Sequence, residues 1–82
     1  MKVLYFAWLR ERIGESEETV ETAGLATVAD LVEALRARGP RYEAAFADHG
    51  AVRVAVDQTV RDFDAPLNGA AEVAFFPPMT GG

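Results

Sequence analysis

The chain has 82 residues, half of them apolar and 26% charged, with no cysteine and a formal net charge of −5. That describes one small domain, which buries only about 60% of the surface its unfolded chain exposes and has no apolar residues to spare for a second core. The lack of cysteine excludes disulfides and thiolate metal sites, and the acidic balance disfavours phosphate backbones and anionic membrane surfaces.

Lys2 to Trp8 is rich in β-branched and aromatic residues and predicts a first strand. Arg10-Glu11-Arg12 and Gly14-Glu15-Ser16 read as a polar turn region, and Glu18–Thr22 as a second strand that completes an opening hairpin. Thr27 and Asp30 form a capping-box pattern ahead of a helix running to Arg38, in which Val28, Leu31, Val32 and Leu35 fall at i, i+3, i+4 and i+7. Gly39-Pro40 stops it, and a short helix from Pro40 to Ala47 presents Tyr42 and Phe46. Val52–Val56 alternates as a strand, Asp57-Gln58 is a tight turn, Thr59–Arg61 a short return, and Ala71–Phe76 the last strand, ended by Pro77-Pro78. Crossover rules place the first and last strands side by side and parallel, with the main helix across one face of a mixed sheet. The expected fold is α+β, the ubiquitin-like β-grasp, with a domain over 1–76 and a flexible, extended tail over 77–82.

Catalytic material is scarce. The one serine, Ser16, and the one histidine, His49, sit in separate polar turns, so a nucleophile paired with a base is not expected, and the carboxylates are too scattered to predict a metal site. The longest unbroken apolar stretch, Val3 to Leu9, falls far short of the roughly 20 residues of a membrane span, and no signal-peptide pattern opens the chain. The cytoplasm is the expected location.

Two features go beyond the fold. After Glu72 the chain carries no charged side chain and ends on Gly81-Gly82. Pro77-Pro78 favour an extended stalk, and glycines without Cβ can thread a narrow channel, which is what a terminus needs if its carboxylate is a substrate. Strand parity also makes the sheet apolar on both faces. Val3, Tyr5 and Ala7 point one way and Leu4, Phe6 and Trp8 the other, while Val73 and Phe75 oppose Ala74 and Phe76. Unless the second short helix covers it, the face opposite the main helix exposes Phe6 and Phe76 as an interaction surface.

The chain resembles the small, sulfur-carrying subunits of molybdopterin synthase over nearly its whole length. The resemblance rests on Val3-Leu4-Tyr5-Phe6-Ala7 with Arg10-Glu11, Thr27-Val28, Val54-Ala55-Val56-Asp57-Gln58, Asp62-Phe63 and Pro66-Leu67, and above all on Glu72 through Gly82. Asp57 departs from the Asn common in that family, in a turn that suits either residue. The resemblance implies a carrier without catalytic residues of its own and without a bound cofactor or metal. In that family an adenylating enzyme related to ubiquitin-activating enzymes uses ATP and magnesium to activate the C-terminal carboxylate, here Gly82. A sulfur-donor protein then supplies the sulfur of a thiocarboxylate. The tail, here Thr80, Gly81 and Gly82, enters the large subunit and delivers sulfur to cyclic pyranopterin monophosphate, building the dithiolene of molybdopterin for molybdenum cofactor biosynthesis. The matching partner-facing positions are Phe6, Arg10, Val60 and Phe76, and the implied assembly is a heterotetramer around a dimer of large subunits. A carrier for another pathway, such as the thiamine thiazole, or a ubiquitin-like protein modifier would use the same chemistry with a different acceptor.

Overall fold

The computed structural model describes residues 1–78. Five strands, β1 (Lys2–Tyr5), β2 (Glu17–Thr19), β3 (Arg53–Val56), β4 (Thr59–Arg61) and β5 (Glu72–Phe76), form one sheet in the order β2-β1-β5-β3-β4. β1 pairs with β5 in parallel, from Lys2 opposite Glu72 to Tyr5 opposite Phe75, and every other pairing is antiparallel. This is the expected β-grasp arrangement, with the two chain ends joined at the middle of the sheet. Among the described residues no helix is long and apolar enough to cross a membrane.

The main helix, α2 (Val28–Arg36), starts where the sequence places it. Asp30 N–H donates to Thr27 Oγ1 at 3.2 Å, and Asp30 Oδ2 accepts from the backbone N–H groups of Thr27 at 3.1 Å and Ala26 at 2.9 Å. Two further first-turn donors, Val28 and Ala29 N–H, are satisfied by the carbonyls of Ala65 and Phe63. The Asp62–Leu67 segment thus serves as a cap for α2. Val28, Leu31, Val32 and Leu35 are buried against Val3, Tyr5, Val54, Val73 and Phe75.

The region expected to be a polar turn is a helix, α1 (Trp8–Ile13). Leu9 and Ile13, four apart, are both buried on its inner side, and Gly14 closes it in the left-handed conformation at φ 89°. A six-residue helix is not stable alone, and α1 is held by packing against α3 (Pro40–Ala45). The first strand accordingly ends at Tyr5, two residues before Ala7, which takes the positive φ of 56° with ψ −132°. That turn breaks the alternation, so Ala7 and Trp8 do not continue the strand faces. Ala7 is exposed, and Trp8 packs on the core margin with the Arg12 guanidinium 5.2 Å from its ring centre. The opening pair β1–β2 is therefore antiparallel as expected, but joined through a helix.

The short helix α3 lies on the same side of the sheet as α2. Its Tyr42 and the following Phe46 enter the core, where the Phe46 ring meets Phe75 edge-on at 5.0 Å and Tyr5 stacks on Phe75 at 6.3 Å. One carboxylate ties β2 to these helices. Glu18 accepts from the Tyr5 hydroxyl at 2.9 Å, from the Tyr42 hydroxyl at 2.9 Å, and from Arg38 Nη1 at 2.9 Å. At the opposite end, Asp57 and Gln58 both adopt positive φ in the two-residue β3–β4 turn. Asp57 Oδ1 accepts from the N–H groups of Ala71 and Glu72, fixing the start of β5 by an acceptor role that an asparagine oxygen can also fill.

Two predictions follow from these bonds. Thr27→Ala removes the α2 cap and lowers unfolding free energy by about 1 kcal/mol in chemical denaturation, with no change in fold. Burial, and then the hydrogen bonds to Glu18, hold the Tyr5 and Tyr42 phenols neutral above their ordinary range. In the unfolded chain they ionise near pH ~10, so stability from this source is complete below that pH and falls as pH rises above it, because only the unfolded state then releases protons. Denaturation midpoints measured from neutral to strongly alkaline pH show that fall, and in Tyr5→Phe it is shallower.

Candidate functional site

The sheet face away from the helices is uncovered by any described element. Its residues follow from the register: Leu4, Ala74, Ala55 and Val60 stand opposite one another in a single row across β1, β5, β3 and β4. Ala55 and Ala74 are buried yet lie outside the core cluster, because they are covered by their sheet neighbours on this other face. One step toward the C-terminal end of β5, Phe76 stands opposite Arg53. Phe6 lies just beyond the end of β1, its N–H donating to the Phe75 carbonyl at 3.0 Å.

The result is a shallow apolar floor of two alanines with larger side chains around it. Phe6 at 48% and Val60 at 65% are the exposed large hydrophobics among the described residues, and Phe76 is half-buried. A floor of small residues bordered by aromatic and branched side chains suits the surface of a protein partner. Three of the four expected partner-facing residues, Phe6, Val60 and Phe76, thus lie on or beside one surface. The fourth, Arg10, is exposed on α1 shortly after Phe6.

Sequence reasoning set Leu4 and Ala74 on this face without assigning them to the site, and it missed Ala55. The alternation of Val54, Ala55 and Val56 carried the signal, because Ala55 has the opposite parity to the two core valines. Trp8, expected on this face, is removed from it by the turn at Ala7. Thr80, Gly81 and Gly82 lie outside the described residues; Phe76, at the end of β5, is separated from Thr80 by Pro77, Pro78 and Met79.

The hydroxyls that do lie in the core are not poised for chemistry. Tyr5 and Tyr42 donate to Glu18 and are held neutral there. Ser16 precedes edge strand β2, whereas His49 belongs to a single-turn 3-10 helix leading into β3, with β1 and β5 between those strands. Among the described residues, Ser16 and His49 are thus not on neighbouring strands.

Residues 3–82 match the ThiS family. The chain is 44% identical over 82 residues to the molybdopterin synthase sulfur carrier subunit of Escherichia coli strain K12, covering 100% of this chain and 99% of that one. It is 35% identical over 82 residues to the protein of the same name from Haemophilus influenzae, with the same coverage. Among solved structures, SAMP1 from Haloferax volcanii superposes with a TM-score of 0.78 at 31% identity, covering 100% of this chain and 98% of that chain. With identity and coverage of this extent, the chain belongs to the ThiS family and is similar along its whole length to the sulfur carrier subunits of molybdopterin synthase.

Proposed function

We propose that this chain is the sulfur-carrier subunit of a molybdopterin synthase, a non-catalytic partner that brings sulfur to a large subunit on its own C-terminus. The observation that carries this reading is continuity. Strand β5 puts Phe76 on the apolar face, and Pro77 follows it in the chain, which supports a partner that takes both the face and the tail. Full-length similarity to named carriers favours this product over the thiamine thiazole or protein conjugation.

A carboxylate resists substitution because its oxygen is a poor leaving group. An adenylating partner supplies ATP and magnesium; the Gly82 carboxylate attacks the α-phosphorus, pyrophosphate leaves, and the carboxyl oxygen is now part of a good leaving group. Sulfur from the donor forms the C–S bond as AMP departs, leaving a thiocarboxylate. Within the large subunit that sulfur attacks cyclic pyranopterin monophosphate, water then cleaves the bond between the Gly82 carbonyl and sulfur to return the carboxylate, and two such transfers complete the dithiolene. This chain contributes the slender Thr80-Gly81-Gly82 end and the docking surface of Phe6, Arg10, Val60 and Phe76. The large subunit contributes the catalytic groups.

Incubation with the adenylating enzyme, ATP and a sulfide source tests the reading by mass of the intact protein and of its C-terminal peptide. The expected product carries one ATP-dependent sulfur on Gly82, captured by thiol-selective alkylation, which separates it from oxidised Met79. Deleting Gly82 abolishes the gain and leaves the melting midpoint unchanged. A wild-type chain that gains no sulfur from a demonstrably active enzyme contradicts the reading. On the docking face, Phe76→Ala weakens binding to the large subunit by about 2 kcal/mol in a calorimetric titration, the loss typical of an aromatic anchor at an interface centre.

A further inference from the structure

A groove of about 450 Å³ separates α1 from the stretch of chain that runs from α3 toward β3. Trp8 and Arg12, one helical turn apart, line it on one side, and Ala44, Ala47 and Ala51 line it on the other. Trp8 is the single tryptophan of the chain and is half-buried, with the Arg12 guanidinium 5.2 Å from its ring centre. Arg12 makes no ion pair among the described residues. Asp48 also lines the groove, with its Oδ1 accepting from the Gly50 N–H at 2.9 Å.

Topology puts this groove where the tail leaves. β5 lies between β1 and β3. β1 runs parallel to β5 and continues through Phe6 and Ala7 into α1, while β3 runs antiparallel and starts with Arg53 opposite Phe76. Both walls of the groove therefore stand at the end of the sheet where β5 finishes, on the helix side rather than on the Ala55–Ala74 face. Pro77 and Pro78, the next residues after β5, are half-buried.

We propose that the groove between α1 and α3 is a resting site for the chain's own C-terminal segment, Met79 to Gly82, with the Met79 side chain against Trp8 and the Gly82 carboxylate at Arg12. The inference rests on the carrier reading for one point, that Gly82 ends the chain with a free carboxylate. The segment and the groove are complementary. Four residues reach up to about 14 Å when extended, and they carry no charged side chain, so their one charge is the terminus. The groove offers small apolar side chains, an aromatic ring that favours a thioether, and one guanidinium for one carboxylate. A thiocarboxylate is an anion too and keeps the same partner, so the site shelters the loaded end until it is drawn out. The Ala55–Ala74 face stays open meanwhile, which lets the body dock first.

NMR of the isolated full chain, with no partner present, tests the site. Nuclear Overhauser contacts are expected from the Met79 methyl to the Trp8 indole, and they persist on dilution. Arg12→Glu repels the carboxylate and loses them, whereas Arg41→Glu, the same charge change on α3 but outside the groove, keeps them. Met79→Asp alters the tail alone, so its melting midpoint stays at the wild-type value while the Trp8 emission moves to longer wavelength as water replaces the thioether. The inference is overturned by a wild-type chain without the Met79–Trp8 contact, by contacts that vanish on dilution and so come from a second copy, by undiminished contacts in Arg12→Glu, by an equal loss in Arg41→Glu, or by unshifted emission in Met79→Asp. None of these outcomes touches the carrier reading, which fails separately if the wild-type chain gains no sulfur.

Discussion

The parallel pairing of β1 with β5 puts the two ends of the chain at the centre of the sheet, and most of what this protein presents to others depends on it. Because β5 is central, Phe75 faces the helices and meets Tyr5 and Phe46, while its neighbours Ala74 and Phe76 face the other way. The strand that anchors the core is also the one that leads into the tail. A tail leaving from an edge strand would be displaced from the apolar floor, and the docking of body and terminus would be two separate problems.

An 82-residue chain has enough helix to cover one face of this sheet. α2 and α3 both lie on that side, and Glu18 ties β2 to them through Tyr5, Tyr42 and Arg38. The other face stays apolar without a large core of its own, since Ala55 and Ala74 are buried at its middle, Leu4 and Phe76 are half-buried and Phe6 and Val60 are exposed. Scattered exposed hydrophobics are normal in soluble domains. Here strand register collects Val60 and Phe76 on one face, with Phe6 just beyond the end of β1.

Much of this was legible in the sequence because the signals were local. The Thr27-Asp30 cap and the Val28, Leu31, Val32, Leu35 stripe marked α2, and parity in the last strand separated Phe75 from Phe76. Helix α1 was not legible. The run of β-formers continues to Trp8, and the turn that ends the strand sits at Ala7, a residue with no preference for positive φ. Only Leu9, Ile13 and Gly14 hinted at a helix, and that hint needs α3 beside it to become stable. The side on which α3 would pack was also open, because periodicity places Tyr42 and Phe46 on one side of their segment without saying which sheet face they meet.

The central claim is that one sheet face builds the core and the other docks. Methyl-selective NMR of the carrier, free and bound to the large subunit, tests it most directly. The account predicts that the methyl signals of Leu4, Ala55, Val60 and Ala74 move on binding while those of Val28, Leu31, Val32 and Leu35 stay in place. Shifts confined to the helical side, with the Ala55 and Ala74 methyls unmoved, would contradict it.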